Sequence, residues 1–284
     1  MVVNVNPFFV TGRIPAAYFC DRVVESKVLS QALLSQMNVV VTSPRRMGKT
    51  ALVDFVFQQE VIQKDYFTID VDILHTTCFK EFIYALGTAA YDKIASRSDK
   101  MKRLFIATLR SLSASFGYDP IQNTPTFDIK LGDITTPDYT LREIFNFMEQ
   151  ADKRCLVVID EFQQITKYPE KNIEAVLRSY IQKMSNANFV FAGSQRTVLE
   201  EMFLSSRRPF FQSAKLMQLD AIELSVYQDF VVGHFREGGK DINPEAVEVA
   251  YRSFRGVTLY MQRVMKDAYA TTPQGATCDE RLVE

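Results

Sequence analysis

Residues 38–57 read NVVVTSPRRMGKTALVDFVF. A β-branched apolar run gives way to a short polar turn, and apolar positions then return at helical spacing, so the period changes from strand to helix around one loop. The loop itself, TSPRRMGKT (Thr42–Thr50), fits the phosphate-cradling pattern G-x-x-x-x-G-K-[ST] at Gly48, Lys49 and Thr50 and carries Ser43 at the first glycine position. Pro44 follows, and a residue before proline is pushed into extended backbone with negative φ. Serine adopts that conformation without strain, so the missing glycine costs little. Gly48 is different, because it must let the backbone approach a phosphate.

In such a loop the main-chain N–H groups and the helix N-terminus attract anions. Lys49 then reaches the β- and γ-phosphates, and the Thr50 hydroxyl is a magnesium ligand. The backbone from Ser43 through Pro44, Arg45, Arg46, Met47 and Gly48 to Ala51 forms the cradle. For Arg45 and Arg46 the main-chain N–H groups matter more than the side-chain charges.

A second segment, CLVVIDEFQQI (Cys155–Ile165), is an apolar strand ending in two carboxylates. Asp160 at the strand tip suits a magnesium ion, and Glu161 suits orienting or deprotonating a water. A third strand, NFVFAGSQRT (188–197), runs into Ser194 and Gln195, either of which could sense a γ-phosphate. Thr166-Lys167-Tyr168-Pro169 lacks the aspartate of a guanine-reading turn, so adenine is the expected base.

Five short apolar runs read as buried parallel strands: 38–42, 66–71, 155–159, 188–192 and 215–219. Helical periods separate them at 49–60, 79–96, 99–115, 140–152 and 172–185. The alternation predicts a three-layer α/β sandwich with a mainly parallel five-stranded sheet over residues 1–220. Turn-rich residues 117–138 break the pattern and admit a strand or hairpin. Three amphipathic helices at 222–236, 244–254 and 258–270 then form a small helical lid, with Asn243 as a cap ahead of Pro244. Residues 271–284 read as a loop and the start of a further helix capped by Thr277, which fits either a chain that continues in a longer parent or a frayed natural tail.

The 284 residues carry 33 basic and 34 acidic side chains and are 47% hydrophobic. That balance supports a packed core and argues against a dedicated polyanion binder. Four dispersed cysteines and two histidines offer no familiar metal-ligand spacing. No basic segment leads into an apolar run at the N-terminus, and no apolar run is long enough to span a membrane. A reduced, cytoplasmic protein is expected.

These pieces resemble the archaeal-type ATPases of the AAA+ and signal-transduction NTPase group, many of which occur in bacteria. The resemblance rests on YFCDR (Tyr18–Arg22), SPRRMGKTAL (Ser43–Leu52), VVIDEFQQI (Val157–Ile165) and AGSQ (Ala192–Gln195). It implies a P-loop nucleotide domain, a helical lid and usually a winged-helix domain beginning near residue 270. It implies ATP/ADP and Mg2+ as ligands, and an adenine pocket that Phe19, Asp21 and Arg22 line or pin in place. Two stretches depart from the family pattern. Arg208-Pro209-Phe210-Phe211-Gln212-Ser213 stands where relatives read S-P-L-Y-G-R, and Gly256-Val257-Thr258 stands for the lid's G-x-P. Arg263 on the last lid helix is the candidate substitute for the lost arginine.

The expected activity is slow Mg-dependent ATP hydrolysis driving a conformational switch. The alternatives are a nucleotide-binding regulatory module without turnover, and a DNA-associated ATPase whose DNA contacts lie in a further C-terminal domain. An unidentified protein partner is expected, and the sequence leaves the oligomeric state open.

Overall fold

The computed structural model describes residues 5–119, 124–127 and 130–279. In chain order its elements are α1 (Val23–Leu34), β1 (Val39–Thr42), α2 (Lys49–Phe57), α3 (Glu60–Asp65), β2 (Tyr66–Asp72), α4 (Phe79–Lys93) and α5 (Asp99–Thr108). A hairpin of β3 (Phe116–Asp119) and β4 (Thr124–Phe127) follows, then α6 (Pro137–Glu149), β5 (Arg154–Asp160), α7 (Ile173–Ile181), β6 (Ala187–Gly193), α8 (Arg196–Leu204) and β7 (Lys215–Gln218). The last elements are α9 (Leu224–Glu237), β8 (Asp241–Ile242), α10 (Pro244–Ser253), α11 (Thr258–Thr271) and β9 (Thr277–Cys278).

They form two compact units. The sheet unit comprises Leu29–Thr42 and Phe57–Met217. Its five strands lie in the order β2-β5-β6-β1-β7, with the β2–β5, β5–β6 and β6–β1 pairs parallel. Every residue of β1 and β6 is buried, so both faces of the sheet are covered. That burial explains why these strands read as unbroken apolar runs, and it makes the unit a three-layer α/β sandwich. Ile159, Phe191 and Val40 stand in one row, and Thr42 is level with Gly193. The carboxyl ends of β1, β5 and β6 therefore share one edge of the sheet, where open α/β sheets place their ligands. Beneath the end of β5, Phe162 packs on Phe191 at 4.6 Å between ring centroids and on Phe210 at 5.3 Å.

The other unit takes in Met1–Val28, Ser43–Val56 and Gln218–Glu284. Its core joins the lid helices through Tyr227, Val231, Phe235, Val247, Met261 and Met265. Phe8 from the N-terminal segment is buried in the same core, 5.8 Å from Phe235 and 5.9 Å from Tyr269.

Several local expectations change. The helix expected over 49–60 breaks at Gln59, whose extended backbone starts α3 and whose side chain accepts from the Ser30 hydroxyl at 2.9 Å. The stretch 99–115 is α-helical to Thr108, breaks at Leu109, whose backbone is not helical, and continues as a 3-10 helix over Arg110–Ser115. Asn243 occupies the cap position of α10, but its side chain makes no cap bond; its N–H donates to Cys278 O. That bond belongs to a β8–β9 pairing in which Thr277 and Cys278 form a strand where a helix cap was expected. Cys278 is buried in the lid core, which favours the extended pairing over a helix with no apolar face to cover. Residues 280–284 of the expected tail helix lie outside the described residues.

Candidate functional site

The phosphate loop leaves the carboxyl end of β1 and enters the first turn of α2. Positive φ falls at Arg46 (+70°) and Gly48 (+86°), and Ser43 is not among the positive-φ residues. The loop thus bends without a glycine at its first position, as the Ser-Pro step requires. A Cβ at Gly48 would find only the Thr258 methyl at 3.9 Å, so glycine is needed there for its backbone, not for side-chain room. Ser43, Met47 and Lys49 are buried, Gly48 and Ala51 are half-buried, and Pro44, Arg45, Arg46 and Thr50 are exposed. Ser43 Oγ donates to Pro44 O at 3.0 Å.

The loop is held from two sides within its own unit. Arg22 is buried, and its Nη2 donates to Met47 O at 3.0 Å and Asp220 O at 2.9 Å while Nη1 pairs with Glu25 at 2.8 Å. The start of α11 forms the second hold. Leu259 N donates to Arg46 O at 3.1 Å, Thr258 Oγ1 donates to Met47 O at 3.3 Å, and the Arg46 guanidinium donates to the Tyr260 hydroxyl and lies 5.1 Å from that ring. Of the YFCDR segment, Phe19 stacks on Phe55 of α2 at 4.2 Å with planes 7° apart, and Asp21 is exposed, accepting from Val23 N at 3.4 Å. Arg263 is exposed on α11.

The carboxylate cluster lies in the sheet unit, at the ends of β5 and β6. Asp160 Oδ1 accepts from Glu161 N at 2.9 Å. Glu161 itself has left-handed backbone (φ +56°, ψ +39°), a conformation that costs a non-glycine residue roughly 1–3 kcal/mol. Its Oε2 accepts from Ser194 Oγ at 2.8 Å and from Gln163 Nε2 at 2.6 Å. Gln195 is exposed at the cap position of α8. Arg208, in the stretch that departs from the family pattern, pairs with Glu174 at 2.6 Å and Glu201 at 3.7 Å, and Phe210 is buried in the sheet core. Burial pushes the Glu174 carboxyl up and the Arg208 charge opposes it.

Sequence reading missed Gln163 and the Thr258–Tyr260 hold. Gln163 was visible as an amide two residues beyond a strand-tip glutamate. Two bonds of the α11 hold end on main-chain carbonyls, Arg46 O and Met47 O, which leave no trace in residue type, and the Arg46–Tyr260 contact joins residues distant in the chain.

The donor set suits a nucleotide and its magnesium. Buried Lys49 at a helix N-terminus, a positive-φ glycine and main-chain N–H groups suit a polyphosphate. Among the described residues no group of three or more His, Cys, Asp or Glu could hold a metal alone. Magnesium is characteristically bound by one or two carboxylates together with substrate phosphates, which matches a site with few protein ligands. No helix among the described residues is long and apolar enough to cross a membrane.

The architecture is that of P-loop ATPases. A Walker-type ATPase of Pyrococcus abyssi superposes with a TM-score of 0.66 at 15% identity, covering 93% of this chain and 72% of that one. The ORC2 protein of Aeropyrum pernix, solved as ADPNP and ADP complexes, gives 0.60 at 14% identity, covering 97% of this chain and 68% of that one. The ORC1 protein of the same organism, solved in complex with DNA, gives 0.57 at 13%, covering 93% and 62%. Among curated proteins none matches in sequence. A family model, described as an ATPase domain predominantly from Archaea, matches residues 19–264. With the phosphate loop, the paired carboxylates and most of its length inside that match, the chain belongs to this ATPase-domain family.

Proposed function

We propose that the chain binds ATP with magnesium and hydrolyses it slowly, as a conformational switch. The observation that carries this reading is the bend of residues 43–50, with Gly48 at φ +86° and buried Lys49 opening α2, in a chain of an ATPase family. Main-chain N–H groups from Pro44 to Thr50 bind the triphosphate, and Lys49 meets charge developing on the γ-phosphoryl group. Thr50 and Asp160 are the side chains proposed to hold magnesium. When bound, the ion neutralises phosphate charge and orients the γ-phosphoryl group. Glu161 orients water and accepts its proton, Ser194 and Gln195 sense the γ-phosphate, and Phe19, Asp21 and Arg22 support the adenine side.

The switch reading is supported by the bonds from Arg46 O and Met47 O to Leu259 and Thr258. A loop that changes shape with its phosphate load changes the start of α11, giving the two states different affinities for the ligand. The measurement is phosphate release beside binding. Glu161→Gln should slow release by about 100-fold while leaving nucleotide affinity intact. Unchanged release would remove Glu161 from the chemistry. A second reading, nucleotide binding without useful turnover, is favoured by Arg208 being engaged by Glu174 and Glu201. Release indistinguishable from the uncatalysed rate, alone and with partners, would select it.

A further inference from the structure

Gln163 is a residue whose surroundings are poor for stability and specific in geometry. It is 2% exposed. Its amide N–H donates to Glu161 Oε2, the oxygen that also takes the Ser194 hydroxyl. Its own carbonyl, Oε1, is buried and has no hydrogen-bond partner among the described residues. The amide lies over Gly193: a Cβ there would overlap Oε1 and approach Leu199 Cδ1 to 2.7 Å. Glycine at the end of β6 therefore makes room for this side chain. An apolar residue of the same length would fill the space without stranding a buried carbonyl, so stability does not explain the amide. The carboxylate does, because only the N–H end of an amide suits a negative oxygen at 2.6 Å.

We propose that Gln163 is a positioning residue for hydrolysis: its amide, together with the Ser194 hydroxyl, fixes the direction of the Glu161 carboxylate. The proposal rests on the role given to Glu161 above. In that reaction water oxygen bonds to the γ-phosphorus, the bond to the ADP oxygen breaks, and the water proton passes to Glu161. Two donors on Oε2 set the orientation of the whole group, on a backbone already confined to the left-handed region. Without the amide the carboxylate can rotate, and the water is oriented less often.

The test is a cycle of wild type, Gln163→Met, Glu161→Gln and the double variant. It measures phosphate release, affinity for Mg with a non-hydrolysable ATP analogue, and thermal midpoint. Gln163→Met should keep its midpoint and bind the analogue within about 2-fold of wild type, yet release phosphate about 10-fold more slowly. On the Glu161→Gln background the same change should cost nothing further. Gln163→Glu provides a second arm, independent of how the first variant folds. Its carboxyl can donate only when protonated, so its activity relative to wild type should rise as pH falls from about 8 to 6. Equal losses in both backgrounds, or a loss matched by weaker analogue binding, would overturn the positioning role, as would a flat pH ratio for Gln163→Glu. Wild-type release by Glu161→Gln alone would instead remove the base assignment, and the proposal with it.

Discussion

Arg22 shows what a single residue does for the phosphate loop. A buried guanidinium is costly unless its N–H groups are satisfied, and here one nitrogen serves two main-chain carbonyls, Met47 O and Asp220 O, while another meets Glu25. Arg22→Met should lower unfolding stability by about 3 kcal/mol, read from urea melts, because both carbonyls lose a charged donor. Arg22→Lys should recover only part of that, since a lone ammonium cannot reproduce the fork. A loss within error for Arg22→Met would show that the loop is held without it.

Glu149 contributes one pH-dependent part of the stability. Burial pushes its carboxyl up, but the Ser185 hydroxyl, the N–H groups of Asn186 and Ser185, and the Arg154 charge outweigh this, and the net direction is down. A carboxyl depressed in the folded state adds stability above its unfolded value of about 4.3 and loses it as pH falls through the folded value. The stability gap between wild type and Glu149→Gln should hold from pH 7 to about 5 and close in acid. A gap that persisted undiminished at about pH 3 would contradict that sign.

At the scale of elements, the turn into α11 decides how the loop is braced. Gly256 has φ +68°, and a Cβ there would lie 2.8 Å from the Ala221 methyl and the Tyr251 ring, whose hydroxyl donates to Ile222 O at 2.7 Å. Gly256→Ala therefore meets both a strained backbone and a clash. It should cost about 2 kcal/mol or more and weaken nucleotide binding by displacing Thr258 and Leu259. Unchanged melting and unchanged affinity would separate this turn from the loop.

What the sequence disclosed at this scale follows from where the signal lies. Strands such as NVVVT and CLVVI announced themselves because burial on both faces demands unbroken apolar residues. The break between α2 and α3 was hidden, because Gln58-Gln59 contains neither glycine nor proline. The strand at Thr277–Cys278 was misread as a helix start, since its partner, Asp241–Ile242, is distant in the chain. The phosphate loop and the Asp160-Glu161 pair were legible because their chemistry restricts residue type at fixed spacing. Gln163 stood in the sequence as an amide two residues beyond Glu161, but its bond to that carboxylate is made by the fold and has no motif of its own.

At the scale of the whole molecule, the chain supports two cores. One is an aromatic sheet core around Phe162, Phe191 and Phe210, and the other is the helical core that includes Phe8 and Tyr227. The phosphate loop belongs to the compact unit that contains the lid helices, and the carboxylates belong to the sheet unit. The proposed triphosphate cradle is thus drawn from the first of these units and the proposed water-orienting glutamate from the second. Both roles presuppose that residues 43–50 clasp a triphosphate. Calorimetric titration with Mg-ATP of wild type beside Lys49→Ala tests this directly. Wild type should bind with a stoichiometry near one, and Lys49→Ala should bind at least about 10-fold more weakly, a loss of about 1.4 kcal/mol, while melting at the same temperature. Equal heats from the two proteins, or none from wild type, would contradict it.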